Sequence, residues 1–203
     1  MMLPNNMISA YLTALEDLLG ENGVKTVLNL SGLHESIEGY PIDGAAETLP
    51  HSTLAKLQAT IEDIYGERTG LNLSRKAARS ASSSIGAELL NTDQPVRSSE
   101  GGVESIEEAL DTFARLFVTD DHSTPIVSGT DERVSISLQV CPNCVGRESS
   151  TPICQAVAGW IEGLIELIGS SDEVSIYESS CLAVGDENCT FVVQHGQKEP
   201  VEG

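Results

Sequence analysis

The chain has 203 residues, 40% of them hydrophobic, and a formal net charge of −20 from 31 acidic against 11 basic side chains. That imbalance excludes the basic surface that nucleic acid or an anionic membrane would require, and the apolar content with its regular periodicity excludes a disordered chain. A chain of this length buries roughly 70% of its unfolded surface, enough for one substantial core, and its acidity reads as a solvated face that resists aggregation.

Pro4, Asn5 and Asn6 precede an amphipathic rather than a uniformly apolar segment, so no signal peptide is expected, and no apolar run reaches the length of a membrane span. An odd number of cysteines, five, without a secretion signal points to a reducing compartment and hence to the cytoplasm. Ile8, Tyr11, Leu12, Leu15, Leu18 and Leu19 recur at helical spacing, with Gly20 or Gly23 as terminators. Val24 to Leu33 reads equally as helix or strand and runs into an irregular segment from Gly39 to Pro50. A second helix is predicted from Ser52 to Tyr65, with Leu54, Leu57, Ile61 and Ile64 on one side and Gly66 closing it.

Leu71 to Leu90 also reads as helix, but its small residues, Ala77, Ala78, Ala81 and Ser80 to Ser84, leave room for a neighbouring element or a ligand to come close. Asn91 to Gly102 is polar, with Pro95 and a Gly101-Gly102 pair, and reads as a loop. Val103, Ile106, Leu110, Phe113 and Phe117 mark the next helix. Thr124 to Ser128 and Arg133 to Val140 frame a turn, and Val134, Ile136, Leu138 and Val140 alternate as a strand should. A helix follows, with Thr151 as N-cap, Pro152 as first helical residue, an apolar stripe from Ile153 to Ile168, and Gly169 at its end. Asp172 to Ser180 and Cys189 to Val193 form a closing hairpin around Gly185 and Asp186. The expected fold class is α+β: a helical N-terminal half packed on a small, mostly antiparallel sheet made of two hairpins with a crossover helix.

The chemistry concentrates in the last third. Glu178 shares a strand face with Val174 and Ile176, and a carboxylate on a buried face needs a partner or a metal. Cys181 and Cys189 lie four residues either side of Gly185, close enough across a hairpin for two sulfurs to share one zinc. Glu178 and Cys181 are three apart, so a bulge near Ser179 and Ser180 is required to turn them to one side. Cys154 falls in the first helical turn, where amide groups and the helix dipole favour the thiolate that a metal requires. The set Cys154, Glu178, Cys181 and Cys189 therefore reads as a zinc site. Core thiols and a Cys181–Cys189 disulfide are the alternatives. Cys141-Pro142-Asn143-Cys144 adds a rival: Cys141 and Cys144 as zinc ligands with Cys181 and Cys189, or as a redox pair, although no βαβ pattern surrounds them.

The stretch Cys141-Pro142-Asn143-Cys144-Val145-Gly146-Arg147, then Cys154, Gly159, Glu178, Cys181, Gly185, Asp186, Cys189 and Phe191, resembles the 4-vinyl-reductase-type domain family, a family named after a bacteriochlorophyll-pathway protein. Leu18-Leu19-Gly20, Asn29 to Leu33, Tyr65 to Arg68 and Leu73 to Ala81 resemble the helical region that precedes the domain in stand-alone members. The resemblance implies a fold similar to vesicle-tethering subunits and haem nitric-oxide sensors, with residues 1–100 as the helical part and residues 101–203 as the domain core. It also implies a structural zinc on Cys154, Glu178, Cys181 and Cys189, beside an apolar pocket. No counterpart is evident for the histidine and tryptophan with which aromatic-sensing members grip a phenol, and Trp160 is the single tryptophan.

The expected function is a non-enzymatic sensor or carrier of a hydrophobic small molecule, such as a tetrapyrrole, aromatic or lipid-like compound. Phe113, Phe117, Trp160 and Tyr177 are the candidate lining groups, each equally able to be ordinary core. The rival is a tetrapyrrole vinyl reductase or an accessory protein of bacteriochlorophyll biosynthesis. Its chemistry needs a hydride source, yet no GxGxxG follows a predicted strand, and His34, His51, His122 and His195 form no acid–base constellation. A third reading is a homodimeric interaction module using the Ala- and Ser-rich face of Leu71 to Leu90.

Overall fold

The structure, a computed structural model, describes residues 2–33, 48–89, 103–117, 125–130, 133–169 and 174–195. The expected loop Asn91 to Gly102, most of the irregular segment before Pro50, and His34 and His122 lie outside them.

Helix α1, Asn5–Leu30, buries Met7, Ile8, Tyr11, Leu12 and Leu15, then Val24, Val27 and Leu28. It is interrupted at Gly20, whose φ of 72° and ψ of 163° belong to a region that essentially only glycine occupies. Val24 to Leu30 is thus helical. Helix α2, Ser52–Tyr65, ends at Gly66, and helix α3 runs from Glu67 to Leu89. A two-stranded ribbon pairs β1, Met2–Pro4, with β2, Thr48–Pro50. Three-residue strands ending in proline carry too little alternation to be read from sequence.

Helix α4, Val103–Ala114, continues as a 3₁₀ turn at Arg115–Phe117. Strands β3, Ile126–Thr130, and β4, Arg133–Leu138, form the first hairpin; helix α5, Gln155–Leu167, crosses over; β5, Val174–Ser180, and β6, Cys189–His195, form the second. The sheet order is β3-β4-β6-β5 with every ladder antiparallel. Val134, Ile136 and Leu138 of β4, with Phe191 and Val193 of β6, are buried on one face. On the other face Ser137 and Thr190 hydroxyls meet at 2.9 Å. The α+β class expected from the sequence is the class observed.

The small residues of α3 receive α5. Arg75, Ala78, Arg79 and Ser82 stand so close to Gly159 and Gly163 that a Cβ on Gly163 would lie 2.5 Å from the Arg79 carbonyl oxygen. The Ala- and Ser-rich face, proposed from sequence as a dimer contact, is consumed inside the chain: Ala77, Ala78, Ala81, Ser74 and Ser82 are all buried. Arg75 spans the seam, donating to Glu162 at 2.5 Å, Gln155 at 2.8 Å and the Ile176 carbonyl of β5 at 2.9 Å. Buried apolar residues from both halves form a single cluster. Among the described residues, no helix is long and apolar enough to cross a membrane.

Candidate metal centre

Three segments deliver the cysteines to one point. The first is the turn Cys141–Arg147, closed by the Cys144 amide donating to the Cys141 carbonyl at 3.0 Å and the Arg147 amide to the Cys144 carbonyl at 3.0 Å. The second is the start of α5. The helix begins at Gln155 with Cys154 as its N-cap, three residues later than the Thr151-Pro152 pattern predicts. The displacement has a long-range cause: the Cys154 amide donates to the Glu178 carboxylate at 2.9 Å, and the Ile153 carbonyl accepts from the Gln58 side chain at 2.6 Å. Cys154 still accepts the first helical bond, from the Ala158 amide at 3.1 Å.

The third segment is the β5–β6 connection. Glu178 lies on the strand face of Val174 and Ile176, as alternation requires, and the register shifts between Glu178 and Ser180, where the sequence demands a bulge. Cys181 then precedes a 3₁₀ turn, Leu182–Val184, and Gly185 takes φ 103°. The Cys181 amide donates to Asp186 at 2.7 Å, and the Leu182 amide donates to the Cys189 sulfur at 3.3 Å. The turn Cys141–Arg147 is tied to the hairpin by the Ser149 amide donating to the Ala183 carbonyl at 2.8 Å.

All five cysteines are buried and free, so the disulfide alternative for Cys181 and Cys189 is not formed. Two four-donor sets gather, each with donor atoms within 4.8 Å of one another: Cys154, Glu178, Cys181 and Cys189; and Cys141, Cys144, Cys154 and Cys189. Sulfur–sulfur separations run from 3.1 Å (Cys144 to Cys154) to 3.7 Å (Cys154 to Cys181). A tetrahedral zinc with bonds of about 2.3 Å to sulfur sets sulfur–sulfur edges of about 3.8 Å. The donor set therefore fits zinc in chemistry and in spacing, and one Glu178 oxygen, Oε1, is buried without a hydrogen-bond partner.

Burial pushes the Glu178 carboxyl up to about 8, against the pull of its bond from Cys154. Crowded sulfurs cannot all ionise together. Hydrogen bonds from Cys141 and Cys154 hold the Cys144 thiol well below its ordinary value, whereas donating to Cys141 and Cys144 pushes Cys154 up. The lowered Cys154 pKa expected from its place at the helix start is thus reversed in the metal-free cluster, because neighbouring sulfurs are nearer than the helix amides.

Sequence reasoning missed the scaffold behind the cluster. Gln58 of α2 is fully buried. Its amide nitrogen donates to the Ile153 carbonyl and to Glu62 at 2.8 Å, and its oxygen accepts from Asn143 at 2.5 Å and the Ala156 amide at 3.3 Å. Arg147 reaches the same helix, bonding Glu62 at 2.6 Å. Nothing in the local sequence of α2 marks Gln58; only its place among apolar neighbours at helical spacing hints at a buried role.

Residues 134–195 match the family model of the 4-vinyl-reductase domain. The matched segment holds every cysteine of the cluster and Glu178, so the family match and the candidate metal centre coincide. An uncharacterized protein of Methanocaldococcus jannaschii is 42% identical over 55 residues, which are 27% of this chain and 23% of that relative's length. Among solved structures, an oxygen-binding H-NOX domain related to soluble guanylate cyclases superposes with a TM-score of 0.56 at 13% identity, covering 96% of each chain. The phenol-responsive sensory domain of the transcription activator PoxR, with phenol, superposes at 0.51 and 14% identity, covering 73% of this chain and 77% of that one. At these identities the likeness is one of fold, and it extends the matched segment to a shared architecture across most of the chain.

The candidate lining groups divide. Phe113 and Phe117 pack edge to face at 4.9 Å, and both are buried with Trp160 in the core. Tyr177 stands on the other face of β5, 40% exposed, beneath the Arg133 guanidinium. A cleft of about 100 Å³ lies between α3, α5 and β5, lined by Arg79, Glu162, Ile165, Glu166, Val174 and Ile176. None of the four aromatic residues borders it.

Proposed function

We propose that the protein is a small-molecule-binding sensor or carrier whose 4-vinyl-reductase-type segment is clamped by a structural zinc. The observation that carries the reading is the coincidence of the family match with a buried convergence of five thiols and a carboxylate. Cys154, Glu178, Cys181 and Cys189 would hold the ion, joining the start of α5 to the β5–β6 hairpin. Four protein donors close the coordination sphere, which suits structure rather than catalysis. The zinc supplies cross-linking; Gln58 and Asn143 orient the cysteine turn around it.

The ligand in this reading is hydrophobic, of tetrapyrrole, aromatic or lipid-like class. It is received between α4, α5 and the buried face of the sheet, where Phe113, Phe117 and Trp160 gather, with Tyr177 outside the pocket. Residues 1–100 act as the helical part of the same domain as residues 101–203. Titration with porphyrin, phenol and fatty-acid panels, followed by Trp160 fluorescence, tests this. Saturable quenching or shift by one class supports it, and a flat response to every class removes the ligand-binding claim. Metal content of protein purified without added zinc tests the clamp independently.

A further inference from the structure

Five thiols and a carboxylate are more donors than one tetrahedral ion can use. If one ion takes Cys154, Glu178, Cys181 and Cys189, then Cys141 and Cys144 remain beside it, buried, with the Cys144 sulfur 3.1 Å from Cys154 and 3.4 Å from Cys189. The Cys141 sulfur is 3.4 Å from Cys154. Those separations match the edges of a second thiolate tetrahedron rather than ordinary apolar packing.

We propose that the centre is binuclear: two divalent, thiol-loving ions share Cys154 and Cys189 as bridging thiolates. One ion is completed by Glu178 and Cys181, the other by Cys141 and Cys144. The inference rests on the metal-binding reading above and adds the second ion. Two four-donor sets with two members in common use six donors, and these are the five cysteines and Glu178. The shared pair is 3.6 Å apart, near the edge that two ions bridged by thiolates would have in common.

Charge argues the same way. Six ionised donors in a buried cluster need more compensation than one divalent ion provides, and a second ion halves the excess. The Cys141–Arg147 turn is also built to present its sulfurs. Its two internal amide bonds set the curve, and Asn143, fully buried, fixes it to Gln58 on α2. The competing arrangement is a single ion on Cys144, Cys154, Cys181 and Cys189, with separations of 3.1 to 3.7 Å, leaving Cys141 and Glu178 aside.

Cobalt titration of the reduced, metal-free chain under anaerobic conditions distinguishes them. The thiolate-to-cobalt absorption should rise until two equivalents are bound, and the electron paramagnetic signal of the first ion should fall as the bridged second ion couples to it. The Cys141→Ser/Cys144→Ser variant should saturate at one equivalent and keep an uncoupled signal. Saturation of the parent chain at one equivalent overturns the second ion and leaves the structural clamp standing. A second equivalent that survives loss of Cys141 and Cys144 also overturns it. No uptake by the parent chain removes the metal reading as a whole.

Discussion

Gln58 commits both donors and both acceptor positions of its side chain within the core, to Glu62, Ile153, Asn143 and Ala156. Replacing it with leucine keeps the bulk but strands the Asn143 amide and the Ile153 carbonyl, each costing about 1–3 kcal/mol. Gln58→Leu should therefore lower the urea midpoint and weaken metal retention together, although Gln58 supplies no ligand. Glu178 gives a pH signature. In the metal-free protein its carboxyl is raised from 4.5 to about 8, so the proton is held more tightly folded than unfolded. Its contribution to stability is full below pH 4.5 and is lost as pH rises to about 8. Melting of chelated protein across that window should show a decline that Glu178→Gln flattens. Metal uptake, which displaces the proton, should strengthen with pH over the same range. The cluster's donors were legible because thiols, a carboxylate on an apolar strand face and a required bulge are local signals. Gln58 was not, because a glutamine gives no sign of where its hydrogen bonds will go.

Among the elements, the α3–α5 seam is the tightest approach. A Cβ at Gly159 would press on the Arg75 carbonyl, and one at Gly163 on the Arg79 carbonyl and Ser82, so the helices must separate. At Gly86 the obstacle is the end of the Leu167 side chain, which can turn aside. Gly159→Ala and Gly163→Ala should each cost about 1–3 kcal/mol in chemical unfolding, and Gly86→Ala measurably less. Periodicity placed α2, α4 and the strand faces well, since Leu54, Leu57 and Ile61, or Val134, Ile136 and Leu138, repeat as their elements demand. The small residues of α3 announced a close neighbour without naming it; the partner lies 87 residues on, at Glu162 and Glu166. The start of α5 was misplaced for the same reason. Glu178 and Gln58 decide it from afar, overriding the Thr151-Pro152 capping pattern.

On the scale of the molecule, the cluster joins the Cys141–Arg147 turn, the start of α5 and the last hairpin, so chelation should loosen all three together. A melting temperature lower by about 10 °C or more is expected on chelation, at roughly 2–4 °C per kcal/mol for a chain of this size. Full recovery on adding zinc, read by differential scanning calorimetry, is the check. The α+β class followed from the order of periodic segments, whereas the short ribbon of β1 and β2 has no sequence signature. The middle position of α3, with α1 and α2 on one side and α5 on the other, has a consequence for biosynthesis. While the ribosome is still making residues before 155, the small-residue flank of α3 has nothing to lie against, and three of the six candidate ligands do not yet exist. Commitment to the native state must await the closing quarter of the polypeptide, and a nascent chain arrested earlier should be readily cleaved by proteases.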